Sequence, residues 1–461
     1  MSRTKVGVIS LGCSKNLVDT EVMLGHLDRA GCAFVQDPAD ADVLIVNTCG
    51  FIGSAREESV RTILDAAKLK ETGHLKRLVV AGCMVQRYRD ELQRELKGEV
   101  DAFIGLDQLH EIVGATQLAP QAALDAASAI RNDLPMLDAS HARLSRYLYD
   151  ANTPRTLATP PWTAFVKIAE GCDHTCSFCA IPSFRGAFRS RPAEDIVAEA
   201  QALARRGVKE INLIAQDSSH YGRDRGYAPG LAGLLEGLDA VSDLRWVRVH
   251  YLYPNTVTDK LIETMARSTR VVNYVDMPLQ HAHPDMLKRM RRGGSADSHL
   301  ELIGRFRDAM PDAAMRSTFI VGYPGETEAE FEALLAFVEA ARFDHLGVFT
   351  YSHEDSTSAY EAKDDVPESL KEERRDRLML LQQRIAFEKN EARLGASAVV
   401  LIEGAHPETE HLLVGRTAMQ APDVDGQILL NDGFAEPGTF AHVLFTETAG
   451  YDLVGRITGA A

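Results

Sequence analysis

Short apolar, β-branched runs alternate with longer stretches of helical periodicity along the first third of the chain. "VGVISLGC" leads into an amphipathic stretch from Lys15 to Ala30. "DVLIVNTCG" leads into one from Gly53 to about Lys70, and "RLVVAGC" into one from about Val85 to Leu96. This βαβα alternation predicts a parallel sheet flanked by helices. Periodicity then weakens from about Ser128 to Pro161, and the stretch ends in "TPRTLATPPW", whose prolines mark a boundary. The middle third alternates again. Strands are expected in "WTAFVKIAEGC", "VKEINLIAQDSS", "LRWVRVHYLYP", "VVNYVDMPLQH", "MRSTFIVGYPGE" and "FDHLGVFTYSHE", separated by amphipathic stretches such as "AEDIVAEAQALARRG". Six βα repeats predict a partial (βα)6 barrel. A long charged helix should run from about Glu368 to Leu394, with "KEERRDR" as a solvated face. After Ser397 about five short strands with Gly-rich turns predict a small OB-like β-barrel. The fold class is α/β. Residues 1–127 form an open parallel-sheet domain, 128–161 a linker, 162–394 the partial barrel and 395–461 the terminal β-barrel.

The 461 residues are too many for one ordinary core. No apolar run is long enough to span a bilayer, and "MSRTKVGVISLGC" lacks a signal-peptide layout, so a cytoplasmic location with no membrane partner is expected. The net charge of −16 disfavours phosphate backbones, so strong direct nucleic-acid binding is not expected and a basic protein partner fits better. The terminal barrel sharpens this, because it carries nine Asp and Glu against two Arg, Arg416 and Arg456. A monomer is the expected oligomeric state.

Seven cysteines in a large chain without a secretory signal argue for metal or redox chemistry. Cys13, Cys49 and Cys83 each stand at the C-terminal end of a predicted strand. Loops after neighbouring parallel strands converge on one sheet edge, so these three should meet in space. The alternative is three small buried apolar residues. Cys32 lies at the opposite end of its unit and reads as a structural thiol. Cys172, Cys176 and Cys179 share one loop after the first strand of the partial barrel. Such a loop can wrap one four-iron four-sulfur cluster, and three thiolates leave one iron open. Zinc with His174 as fourth ligand is the alternative, but so short a loop strains a tetrahedral cage. Gln216, His250, Gln280 and Glu326 end other strands, at the barrel mouth where such folds carry their chemistry. Arg185, Arg189 and Arg191 follow the cysteine loop, either to orient carboxylates of a cofactor or target or as a solvated stretch.

The C-x3-C-x2-C loop after the first strand of a partial (βα) barrel resembles the radical S-adenosylmethionine enzymes. The resemblance implies that Cys172, Cys176 and Cys179 are catalytic and hold a 4Fe-4S cluster whose open iron chelates S-adenosylmethionine, the source of a 5′-deoxyadenosyl radical. It puts Phe178 near the nucleoside, and "FIVGYPGE", with Gly322 and Glu326, near the adenine. Over the whole chain the sequence resembles the methylthiotransferases. That likeness implies a TRAM-like terminal barrel and a second 4Fe-4S cluster on Cys13, Cys49 and Cys83 that carries the sulfur. It also implies a flavodoxin-type electron donor. "SLGCSKNLVDTE", "KIAEGCDHTCSFCAIPSFRG", "HYLYP", "DMPLQHA" and "GRTAMQAPDVDG" look like the branch that modifies an aspartate β-carbon in the twelfth small-subunit ribosomal protein. The branch acting on tRNA adenosine usually has glutamine and methionine in place of Ser14 and Lys15. His353 stands where that resemblance leads one to expect proline. Modification of tRNA, or simple iron–sulfur transport or electron transfer, are the competing functions.

Overall fold

Strands buried along their whole length, such as Val43–Thr48, have no face to offer solvent, which suits the interior of a parallel sheet covered on both sides. In the computed structural model, which describes residues 3–116 and 145–461, β1 (Lys5–Ser10), β2 (Ala33–Phe34), β3 (Val43–Thr48), β4 (Arg77–Gly82) and β5 (Ala102–Ile104) form such a sheet in the order 2-1-3-4-5. The strand order reverses between β1 and β3, the switch point at which a crevice opens beyond the strands' C-terminal ends. Helices Ser14–Arg29, Gly53–Thr72 and Cys83–Glu95 cover the faces. The proposed boundary at residue 127 lies outside the described residues.

The second unit is the predicted partial barrel. It contains β6 (Thr163–Lys167), the short antiparallel pair β7 (Ala169–Glu170) and β8 (Arg189–Ser190), β9 (Glu210–Ile214), β10 (Trp246–Val249), β11 (Tyr274–Asp276), β12 (Ala314–Val321) and β13 (His345–Thr350). β6, β9 and β10 make one parallel set, β11, β12 and β13 another, and the Val247–Val271 bridge joins them. Outward residues, among them Val166, Ile211, Leu213, Val247 and Val249, pack under the surrounding helices. The alternate residues meet inside the barrel and are polar: Asn212, Arg248, His250, Asp276 and Arg316. Side-chain caps start the later helices. Thr327 accepts from Glu330 N at 3.3 Å while Glu330 Oε2 accepts from Thr327 N at 2.8 Å.

β14 (Ser397–His406), β15 (Thr409–Thr417), β16 (Ile428–Asp432), β17 (Phe440–Ala449) and β18 (Asp452–Ala460) close the terminal barrel. It caps the N-terminal end of the strands, away from the mouth. Arg416 meets Glu210 at 2.7 Å, Tyr274 donates to Asp425 at 2.7 Å, and Trp246, Tyr274, Leu401 and Phe440 pack between the two. Helix Glu368–Glu391 lies along β13 and hands the chain to this barrel. Its "KEERRDR" run is not all solvated. Lys371 and Arg374 are buried, because the helix lies on the 322–328 turn and Arg374 donates to Glu326 Oε2 at 2.8 Å.

The N-terminal unit sits over the barrel mouth. Helix Ser14–Arg29 packs on β6, and Phe165 and Ile214 join the core of the N-terminal sheet. The connector fastens the two. Arg155 reaches Glu21 at 2.5 Å on one side and Glu199 at 2.7 Å on the other.

Candidate functional site

The loop Cys172–Cys179 begins where β7 ends and is held by the barrel mouth. Cys172 N donates to Gly186 O at 3.0 Å, Ser177 N to Met290 O at 3.1 Å, and Ala359 N to Ser177 O at 2.8 Å. The Ser177 hydroxyl shares a 2.8 Å hydrogen bond with Tyr323, and Arg292 Nη1 lies 3.6 Å from the Cys176 sulfur. Burial pushes the Cys172 and Cys179 thiols up to about 12, with neighbouring sulfur adding to the effect.

The other trio assembles from three strand ends around the crevice between β1 and β3. Asn16 clamps it, donating to Leu11 O at 2.9 Å and Thr48 O at 2.8 Å while its Oδ1 faces the Cys83 sulfur at 3.2 Å. Burial pushes Cys83 up to about 12 and raises Cys49. Cys13 differs. Burial opposes its ionisation, but Lys15 and Arg185 outweigh that and lower it. Cys13 is an exposed residue, unlike buried Cys83.

One segment couples the trios. Ala180, Ile181 and Phe184, just after Cys179, pack in one cluster with Cys83 and Leu106. Arg185 then reaches across. Its Nη2 lies 2.9 Å from the Cys83 sulfur and 3.1 Å from Asp19 Oδ2, and its Nη1 donates to Glu170 at 2.9 Å. Lys167 bridges Glu170, at 2.8 Å, and Asp19, at 2.5 Å. Burial would raise Glu170, but Arg185 and Lys167 hold its carboxyl well below the usual range. Lys15 stands beside this network with its ammonium 3.8 Å from the centre of the Tyr251 ring. Burial lowers its pKa, and the Cys13 sulfur opposes that shift.

The sequence-derived expectations meet mixed outcomes. The three loop cysteines share one mouth, and the three dispersed ones converge as sheet topology requires. Cys32 is buried in the core of the N-terminal sheet. Phe178 packs against Met286, Met290, Tyr323 and Tyr351. Glu326 is turned inward, where its carboxylate accepts from Gly322 N at 2.5 Å and Arg374 at 2.8 Å and lies 3.1 Å from His281. Gln216 donates to Glu170 at 2.7 Å, and His250 lies between Asn212 and Asp276. Arg185 and Arg191 do not form a solvated stretch. Each is 1% exposed, and Arg191 is taken up by Asp195 and Glu199 at 2.6 Å. His174 is 2.7 Å from Asp217 and stacked on Tyr253, not turned toward the sulfurs. Asn16, Lys15, Lys167, Asp19 and Arg292 were missed. Only "CSKN" offered a signal, in that a cysteine turn opening a helix places the next side chains around the sulfur.

The donor sets fit clusters better than a single ion. Among the described residues, the one trio of His, Cys, Asp or Glu ligand atoms within 4.8 Å of one another is His283, Asp285 and Glu330. A tetrahedral ion bound at about 2.3 Å per sulfur needs closer sulfurs than either cysteine trio provides. Thiols raised as far as Cys83, Cys172 and Cys179 ionise at neutral pH only with cationic compensation, which a bound metal centre would provide.

Comparison with known proteins matches each unit separately. Residues 166–338 match the radical SAM superfamily, 5–105 a group described as uncharacterized protein family UPF0004, and 394–458 the TRAM domain. A protein of Koribacter versatilis named ribosomal protein uS12 methylthiotransferase RimO is 46% identical, covering 98% of this chain and 96% of its own. One of the same name from Anaeromyxobacter sp. strain K is 48% identical, covering 98% and 93%. The solved structure of the radical S-adenosylmethionine methyltransferase TsrM from Kitasatospora setae, with cobalamin and a [4Fe-4S] cluster, superposes with a TM-score of 0.52 at 15% identity. It covers 78% of this chain and 77% of its own, a likeness of fold.

Proposed function

The chain belongs to the ribosomal protein uS12 methylthiotransferase family, and from that membership we infer that it is a radical S-adenosylmethionine enzyme that places a methylthio group on uS12. The target atom in this reading is the β-carbon of an aspartate. The observation that carries it is identity approaching one half over nearly the full length of relatives bearing that name.

Cys172, Cys176 and Cys179 would hold one 4Fe-4S cluster, and Cys13, Cys49 and Cys83 a second. When bound, the first with S-adenosylmethionine supplies one-electron chemistry that breaks a C–H bond, and the second supplies sulfur. The residues of the chain position and shield this chemistry. Phe178, with Met286, Tyr323 and Tyr351, makes the apolar wall expected beside the nucleoside. Glu326 braces the turn from Gly322 by accepting its N–H, so its contribution to the cofactor is through that backbone. The N-terminal unit packs over the mouth through Phe165, Ile214, Ala180 and Phe184. A flavodoxin-type protein as reductant and a monomeric enzyme complete the reading. A ribosomal protein as substrate puts the reaction in the cytoplasm.

The terminal barrel supports a protein target over RNA. Glu408, Asp423, Asp432, Glu436 and Glu447 are exposed there, while Arg416 is buried against Glu210 and leaves Arg456 as the exposed cation. Such a surface attracts a basic ribosomal protein and repels phosphate. The test is anaerobic incubation of reconstituted enzyme with uS12 and with tRNA separately, followed by mass spectrometry. Methylthio-aspartate in uS12 with unmodified tRNA is expected. Modified tRNA with untouched uS12 overturns the reading.

A further inference from the structure

The two cations whose charge bears on Lys15, Arg185 and Lys167, are both paired. Arg185 meets Asp19, Glu170 and the Cys83 sulfur, and Lys167 meets Asp19 and Glu170. Lys15 is 8% exposed, yet its ammonium makes no hydrogen bond or ion pair with any described residue. Its contact is the face of the Tyr251 ring. The Cys13 sulfur and Glu170 bear on it only through their charge, so an ammonium this enclosed, with no hydrogen-bond acceptor, favours an anion entering beside it.

The placement of Tyr251 is built rather than incidental. Its φ of +62° lies in the left-handed region, which tyrosine rarely adopts. Two hydrogen bonds hold it there: Tyr251 N donates to Asp276 Oδ2 at 3.2 Å, and Ser218 N donates to Tyr251 O at 3.0 Å. Strain of this kind persists where surrounding structure enforces it, commonly at binding sites. Here it turns the strand end after β10 toward the N-terminal unit, so that one residue from each unit forms the subsite. Lys15 is two positions from Cys13, an exposed residue whose charge bears on it.

We propose that Lys15, steadied on Tyr251, binds the carboxylate of the substrate aspartate and holds its β-carbon between the two cysteine trios. This rests on the reading that uS12 aspartate is the target. The carboxylate is bonded directly to the reacting carbon, so a cation that grips it fixes the carbon within a few ångströms. An uncharged target of the same shape gains nothing from an ammonium there.

The test is equilibrium binding of fluorescently labelled uS12 to the anaerobically reconstituted enzyme, with S-adenosylmethionine and without reductant. It is run with natural uS12 and with uS12 in which the target aspartate is asparagine. Wild-type enzyme should prefer the aspartate form by about thirtyfold, the scale of a buried charge pair. Lys15→Met should erase that preference while keeping its iron content and its weaker affinity for the asparagine form, and Lys15→Arg should retain part of it. Lys15→Gln, closer in shape, serves if Lys15→Met fails to load iron. A preference unchanged in these variants, equal losses for both forms, or a wild-type enzyme that binds both forms equally overturns the assignment of Lys15. A wild-type enzyme that binds neither form overturns the uS12 reading itself.

Discussion

Cys172, Cys176 and Cys179 occupy a single eight-residue loop, whereas Cys13, Cys49 and Cys83 come from three strand ends spread over seventy-one residues. The loop trio depends on local backbone and on the 286–292 and 323–359 segments that grip it. The dispersed trio depends on sheet register and on Asn16, which ties the turn after β1 to the end of β3 and faces Cys83. Their electrostatic settings differ too. Arg292 is the nearby cation of the loop trio, while Lys15 and Arg185 bear on the dispersed one. A cysteine site can therefore be set mainly by local spacing or mainly by tertiary structure, and the second kind inherits the stability of the whole unit. The fold adds a mechanical link, since Arg185 leaves the loop trio's own segment and touches the sulfur of Cys83.

Removing single ligands should separate the trios most sharply. Cys176→Ala is expected to abolish 5′-deoxyadenosine formation. Cys49→Ala should retain cofactor cleavage, measured anaerobically by chromatography, and lose the methylthio product. Cleavage that survives in Cys176→Ala contradicts the role of the loop trio. The next largest effect belongs to the link. Arg185→Met leaves Asp19 and Glu170 short of a buried partner, which costs about 3–5 kcal/mol, read as a fall in the denaturation midpoint. A cost near that of a surface ion pair would mean that the two units are held by packing instead.

Two glycines test whether the trios fail independently. Gly171 has φ +80°, and a Cβ there would lie 2.1 Å from Ala187 O. Gly12 has φ +89°, and a Cβ there would lie 2.9 Å from the Cys49 Cβ. Each alanine variant should cost about 1–3 kcal/mol locally. Gly171→Ala should impair loading of the loop trio and Gly12→Ala that of the dispersed trio, as read by variant-specific EPR signals. Equal damage to both clusters from either change would erase the distinction.

The smallest effect is acid sensitivity confined to the dispersed trio. Glu354 pairs with Arg56 and Arg87, and Arg87 also donates to Gly50 O at 2.8 Å beside Cys49. Burial would raise Glu354, but Ser352, Arg56 and Arg87 hold it below the usual carboxylate range. A lowered carboxyl stabilises the fold above its unfolded value, about 4.3, and loses that contribution as pH falls through the folded value. Hydrogen exchange at residues 49–53 should therefore rise as pH falls below about 4.3, before exchange at 172–179 does. Glu354→Gln should raise it at neutral pH. Simultaneous opening of both segments would show that this latch does not act on one trio.

The loop trio was legible because its three cysteines and their spacing lie within one short loop. The dispersed trio was legible through strand periodicity, which placed its cysteines at one sheet edge before any contact was known. The polar interior of the partial barrel had a signal as well, in the alternation Glu210-Asn212, Trp246-Arg248-His250 and Tyr274-Asp276. Both faces of those strands are buried, so the polar residues face one another rather than water. What sequence could not supply were pairings across long separations, such as Arg185 with Cys83 and Lys167 with Asp19. Charge runs misled for the same reason. Lys371 and Arg374 look like a solvated face until the turn of Glu326 is laid against them.

The central claim, two three-thiolate clusters in one chain, is tested most directly by iron content after anaerobic reconstitution. About eight irons per chain are predicted, falling to about four in Cys49→Ala and in Cys176→Ala alike. About four irons in the wild-type protein, unchanged by Cys49→Ala, would contradict it.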